Sequence, residues 1–76
     1  MKLTILKIDK PVYMGDFEKV SLPAMEGQIE ILPNHAPFMS ALKKGEISYT
    51  VEGEKNSLEI EKGFVEVNKL EVLVIL

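Results

Sequence analysis

Apolar and polar residues alternate along most of the chain with a period of two. In Glu46-Ile47-Ser48-Tyr49-Thr50-Val51-Glu52 the odd positions are apolar and the even ones polar, the pattern of a strand with one buried face. The same alternation runs through Gln28-Ile29-Glu30-Ile31, Ser57-Leu58-Glu59-Ile60-Glu61 and Val65-Glu66-Val67. Turn-forming clusters separate these runs: Asp9-Lys10-Pro11, Met14-Gly15-Asp16, Glu26-Gly27, Pro33-Asn34-His35-Ala36-Pro37, Lys43-Lys44-Gly45, Gly53-Glu54-Lys55-Asn56 and Asn68-Lys69. Frequent turns between short strands predict an all-β fold, an antiparallel β-sandwich of two packed sheets with about eight to ten strands. Pro11, Pro23, Pro33 and Pro37 sit at or near segment ends, where no central ladder bond is lost. The stretch from Ala36 to Lys44 is short and bracketed by Pro37 and Gly45, so a strand is expected there rather than a helix.

Two segments depart from the alternation. Leu3-Thr4-Ile5-Leu6-Lys7-Ile8 is apolar on one face and partly on the other, and Val72-Leu73-Val74-Ile75-Leu76 is apolar on both. A strand covered on one side only has no need of a second apolar face. Two explanations stand: a central strand covered on both sides by the domain itself, or a strand whose outer face meets another protein.

Size and charge narrow the picture. A chain of 76 residues makes one domain, residues 1–76, and buries only about 60% of the surface its unfolded form exposes. There is no cysteine, so hydrophobic packing must hold the fold without disulfides or thiolate metal sites. The net charge is −3 and every basic residue is Lys, which argues against phosphate-backbone binding and removes the bidentate guanidinium that phosphate sites commonly use. The apolar run Val72 to Leu76 falls far short of the roughly 20 residues that cross a bilayer, so a soluble intracellular domain is expected.

Candidate chemistry is sparse. The single histidine, His35, would have to meet Ser21, Ser40, Ser48 or Ser57 to build a nucleophilic site, and no nucleophile elbow accompanies any of them. One histidine without cysteine leaves a zinc site short of ligands. The carboxylate pairs Glu59 with Glu61 and Glu52 with Glu54, at spacing two, are expected to share the solvated face of a strand; an acid/base dyad on Glu59 and Glu61 is the weaker alternative. No cofactor-binding motif is present. What remains is Pro33-Asn34-His35-Ala36-Pro37, whose prolines fix the backbone angle at both ends and whose Asn34 readily accepts a left-handed conformation. Such a loop is either a structural turn or a rigid contact for a partner.

At this loop the sequence takes on a family likeness. Glu26-Gly27-Gln28-Ile29-Glu30-Ile31-Leu32-Pro33-Asn34-His35-Ala36-Pro37, followed by Ala41-Leu42-Lys43-Lys44-Gly45, resembles the signature of the epsilon subunits of F-type ATP synthases, called delta in mitochondria. The family pattern is an acidic-glycine turn, a strand, Leu-Pro-Gly-His-Ala-Pro and then an Ala-Leu-Lys-Pro-Gly turn. Val12-Tyr13-Met14-Gly15, Gly63-Phe64-Val65-Glu66-Val67-Asn68 and Val72-Leu73-Val74 match in register, so the resemblance spans essentially the whole chain. Asn34 stands where glycine is usual, Lys44 where proline is common, and Glu30 and Lys62 where glycines are frequent.

The resemblance implies a non-catalytic central-stalk (rotor) subunit without cofactor, bound to the gamma subunit and to the polar loops of the c-ring. Carried over by position, Glu26 and Gln28 would lie at the c-ring loops, and His35, Ala36 and Ser40 would face gamma. Its place would be the cytoplasmic face of the bacterial inner membrane, held there peripherally through the complex. Family members usually continue into two α-helices that act as an inhibitory arm; this chain stops where they would begin, so coupling without self-inhibition is expected. The alternative is a free-standing β-sandwich interaction module unrelated to a synthase.

Overall fold

The computed structural model describes all residues, Met1–Leu76, and contains nine strands and no helix. The strands are β1 (Lys2–Leu6), β2 (Pro11–Asp16), β3 (Lys19–Ala24), β4 (Gly27–Ile31), β5 (Phe38–Leu42), β6 (Gly45–Val51), β7 (Glu54–Ile60), β8 (Gly63–Val67) and β9 (Glu71–Ile75). They follow one hydrogen-bonded path, β2-β1-β9-β8-β5-β3-β6-β7, with β4 also paired to β3. The path folds over where β5 and β3 touch through a single pair, Ala24 with Leu42. One layer is therefore β2-β1-β9-β8-β5 and the other β4-β3-β6-β7, the expected sandwich.

The core lies between these layers. Leu3, Ile5, Val65, Val67, Val72 and Val74 of the first layer join Val20, Leu22, Ala24, Ile31, Ile47 and Ile60 of the second in one buried cluster, with Leu42 at the fold-over and Phe17 in the β2–β3 connection. Strand parity alone puts them there, since residues at i and i+2 share a face. Tyr13 on the edge strand β2 meets Tyr49 on β6, ring centroids 4.9 Å apart and tilted by 38°, which joins the layers on the side away from the fold-over. Thr4, the buried polar side chain of β1, donates its hydroxyl to a Glu71 carboxylate oxygen at 3.3 Å.

Four sequence expectations need correcting. The sandwich is not wholly antiparallel, because β1 and β9 run parallel. β9 reaches β1 through the β8–β9 hairpin, and parallel neighbours tolerate the long crossover that the rest of the chain supplies. The turn expected at Gly53-Glu54-Lys55-Asn56 is tighter and earlier: Glu52 and Gly53, at φ 50° and 81°, form the whole two-residue loop between β6 and β7. Two consecutive left-handed residues match the twist of the flanking strands. Glu52 consequently lies in the turn and shares no strand face with Glu54, and Glu61 falls just beyond the end of β7. Finally, β1 ends at Leu6, leaving Ile8 in a fully exposed loop.

These features set measurable energies. Replacing Ile5, fully buried between β2 and β9, by Ala is expected to cost about 3 kcal/mol, read as a lower urea midpoint with an unchanged slope. Asn34 holds φ 72°, where a β-branched residue is strained. Asn34→Val should therefore cost about 1–2 kcal/mol in the same assay, whereas Asn34→Gly should be nearly neutral. Equal midpoints for the two would show that the left-handed turn is not what Asn34 provides.

Candidate partner-binding faces

The loop between β4 and β5 starts where Ile31 leaves the core, and every residue from Leu32 to Pro37 is exposed. Local bonds hold it nonetheless. The His35 N–H donates to the Leu32 carbonyl at 3.1 Å, closing the turn over left-handed Asn34. The Asn34 N–H points to Sδ of Met1 at 3.4 Å, and Met1 itself packs on the core. His35 Nδ1 lies 2.7 Å from the Ala36 carbonyl oxygen. Nδ1 donates there, since a carbonyl oxygen can only accept, and Nε2 makes no bond within the chain.

Beyond the loop the site continues along β5. This strand pairs with β8 over its full length, but on its other side it meets β3 only at Leu42. The segment Phe38–Ser40 therefore has an open edge. The His35 ring stands edge-on to Phe38, centroids 6.4 Å apart, and half-buried Ser40 lies two residues further along the same side. Its hydroxyl donates to the Ala41 carbonyl at 2.7 Å. His35 thus meets Phe38, and Phe38 and Ser40 share one side of β5. Phe38 was not singled out from the sequence; its signal was its place just after a proline-bounded loop.

Glu26 and Gln28 lie elsewhere. Met25 and Glu26 form the tip of the β3–β4 hairpin, and exposed Gln28 follows on β4, its amide donating to Ser21 Oγ at 2.7 Å. The two groups of candidate residues are separated by the length of β4, on the order of 15 Å for a five-residue strand. They do not come together as one site.

The hydrogen bonds of His35 go to Leu32 and Ala36 and none goes to a serine. No three His, Asp or Glu side chains come together as a metal site. What the arrangement presents is an imidazole held by a local bond, a short open strand edge and a separate acidic hairpin tip.

A second surface emerges only in three dimensions. Cross-strand partners share a face, so the registers place Met14, Thr4, Leu73, Glu66 and Met39 in one row across the outside of the first layer. Leu6, Ile75, Phe64 and Ala41 form the next row. Met14, Met39, Phe64 and Ile75 are 65, 63, 40 and 48% exposed. The doubly apolar β9 is therefore not covered on both sides by the domain. Its outer face is open. The outside of the second layer is instead polar, with Lys19, Ser21, Glu30, Glu46, Ser48, Thr50, Lys55, Ser57 and Glu59.

Known proteins resemble this chain over its whole length. The family described as the ATP synthase delta/epsilon chain, β-sandwich domain, matches residues 1–76. An ATP synthase epsilon chain of Dehalococcoides mccartyi is 37% identical over 75 residues, 99% of this chain and 54% of that protein. That of Bacillus subtilis is 36% identical over 75 residues, 99% of this chain and 57% of its own. The chain thus spans just over half the length of these relatives. Among solved structures, a chain of the Euglena gracilis mitochondrial ATP synthase (OSCP/F1/c-ring) superposes with a TM-score of 0.89 at 24% identity, covering 96% of this chain and 48% of its own. One from the Tetrahymena thermophila mitochondrial ATP synthase central stalk and c-ring gives 0.83 at 16%, covering 99% and 61%. These two likenesses establish the same fold. With a family match from the first residue to the last and relatives above 30% identity, the chain belongs to the ATP synthase delta/epsilon family, as its β-sandwich domain.

Proposed function

We propose that this chain is a non-catalytic rotor subunit of the central stalk of an F-type ATP synthase, binding the gamma subunit and the polar loops of the c-ring. The observation that carries the proposal is the exposed loop Leu32–Pro37, fixed by its own backbone bonds beside the open edge of β5, in a chain of this family. A pre-ordered loop loses little conformational entropy on docking, so more of its contact energy appears as affinity. His35, Ala36 and Ser40 are assigned to gamma. Glu26 and Gln28, a strand's length away, are assigned to the c-ring loops. Two contact points on one stiff sandwich suit a part that joins a shaft to a ring.

In this role the chain supplies no group to ATP chemistry, which belongs to other subunits. It transmits torque through packing, and stiffness is what the core provides, since a close-packed interior has low compressibility. The complex would hold it peripherally at the cytoplasmic face of a bacterial inner membrane. The 76 residues contain no helix, so these residues carry coupling and assembly rather than an inhibitory arm.

Two outcomes test the assignment. Purified gamma is expected to bind the chain, and His35→Ala with Ser40→Ala should weaken the complex about tenfold or more, at 1–2 kcal/mol per anchor. A dissociation constant unchanged in calorimetry rejects the proposed face. In liposomes, a synthase whose epsilon-type polypeptide is these 76 residues should make ATP from an imposed ion gradient, with hydrolysis that does not rise when the chain is removed. Loss of coupling, or hydrolysis released by removal, would contradict the role.

A further inference from the structure

We infer that the open edge of β5 takes up an extended segment of gamma as an added strand, joined to this sheet through the backbone of Met39. The inference rests on the assignment of that edge to gamma and specifies how the contact is made. Parity along β5 fixes which backbone groups are free. In an antiparallel strand the N–H and C=O of one residue point to the same side, and those of the next residue to the other. The Ala41 carbonyl faces away from β8, since it accepts the Met25 N–H at 3.2 Å. Met39 stands two residues earlier, on a strand whose register with β8 is unbroken, and so faces the same way. Its N–H and C=O meet no neighbouring strand, because β3 reaches β5 only at Leu42.

The opening has defined ends. On one side the Ala41 carbonyl is filled twice, by the Met25 N–H and by the Ser40 hydroxyl at 2.7 Å, which uses both lone pairs of its oxygen. On the other side stands Pro37, which has no N–H to give. Between them one donor and one acceptor are left on Met39. These are the two groups that a residue of a neighbouring antiparallel strand exchanges as a pair. A pairing shifted by two residues would centre on Ala41 or Pro37 and lose a bond. One register is therefore selected.

What this edge lacks sets it apart from the others. Folded proteins guard strand edges with charges, prolines and bulges, and the remaining layer ends carry such guards. β2 begins at Pro11, ends at Asp16 and has a register break against Ile5 and Leu6. β4 carries Glu30, and β7 carries Glu54, Lys55 and Glu59. The stretch Phe38-Met39-Ser40 carries none of these. It also offers apolar surface on both sides: Met39 is 63% exposed on the outer side, and half-buried Phe38 packs on the core from the inner one. Strand addition combines the two kinds of contact, main-chain bonds for affinity and alternate side chains for specificity. Cross-strand partners share a face, so the occupant is an extended, uncharged run of gamma whose residue opposite Met39 is apolar. His35, edge-on to Phe38, stands at one end of that run.

Calorimetry and amide exchange with purified gamma test the inference. Met39→Pro leaves the β8 pairing intact, because those bonds depart from the other side of the strand, but sets its ring where the added strand would sit. Affinity for gamma is expected to fall about tenfold or more, whereas Met39→Ala, which keeps both backbone groups, should stay within about threefold. Circular dichroism checks that both variants fold. In the unaltered chain the Met39 amide should exchange with solvent about tenfold or more slowly once gamma is bound, a readout that holds even where Met39→Pro does not fold. Equal affinity for Met39→Pro, an equal loss for Met39→Ala, or a Met39 amide that gamma does not slow overturns the inference while leaving the gamma contact in place. Failure of gamma to bind the unaltered chain removes the assignment itself, and the added strand with it.

Discussion

The insertion of β9 between β1 and β8 is the contact on which the rest of this small structure depends. It brings the end of the chain beside its beginning and places Val72 and Val74 against Leu3, Ile5, Val65 and Val67 in the core. Without it the first layer would be two separate hairpin-like pairs, neither wide enough to cover the second layer. A domain of this size has little surplus stability, and no disulfide or metal site makes up the difference. Closing the sheet with its last strand is what makes one cooperative unit of 76 residues.

That same closure sets the open edge of β5 and the loop beside it. With β5 fixed by β8 on one side and touching β3 only at Leu42 on the other, an open strand edge is left beside the Leu32–Pro37 loop. The loop is exposed yet bonded to itself and to Met1, which the parallel β1–β9 pair holds in place. The shape of this edge therefore rests on a local turn, a global topology and the position of the N-terminus together. The hairpin tip at Glu26 is held by the β3–β4 pairing and by the Met25 N–H, which donates to the Ala41 carbonyl of β5 at 3.2 Å.

The contrast between the two outer surfaces is equally consequential. One layer turns charges and hydroxyls outward, which keeps its edges from associating with other sheets. The other turns outward methionine, leucine, isoleucine and phenylalanine. An apolar surface of this kind seldom stays bare in a folded protein at work, and the fold presents three surfaces with different chemistry: a polar back, an apolar front and an open strand edge.

Strand identity and core membership were legible in the sequence because they depend on a period of two, a property of neighbouring residues. Ile47, Ile60, Val65 and Val67 could be read as inward from alternation alone, and Asn34 as left-handed from its tolerance of positive φ. The exposed loop around His35 and the family likeness were legible for the same local reason. Tertiary structure alone decided which strands become neighbours. That is why the parallel β1–β9 pair, the open edge of β5 beside Phe38, and the gathering of Met14, Leu73, Phe64 and Met39 on one surface could not be foreseen. Pairing is a contest among distant segments for the same hydrogen bonds and the same core volume, and its outcome is a property of the whole chain.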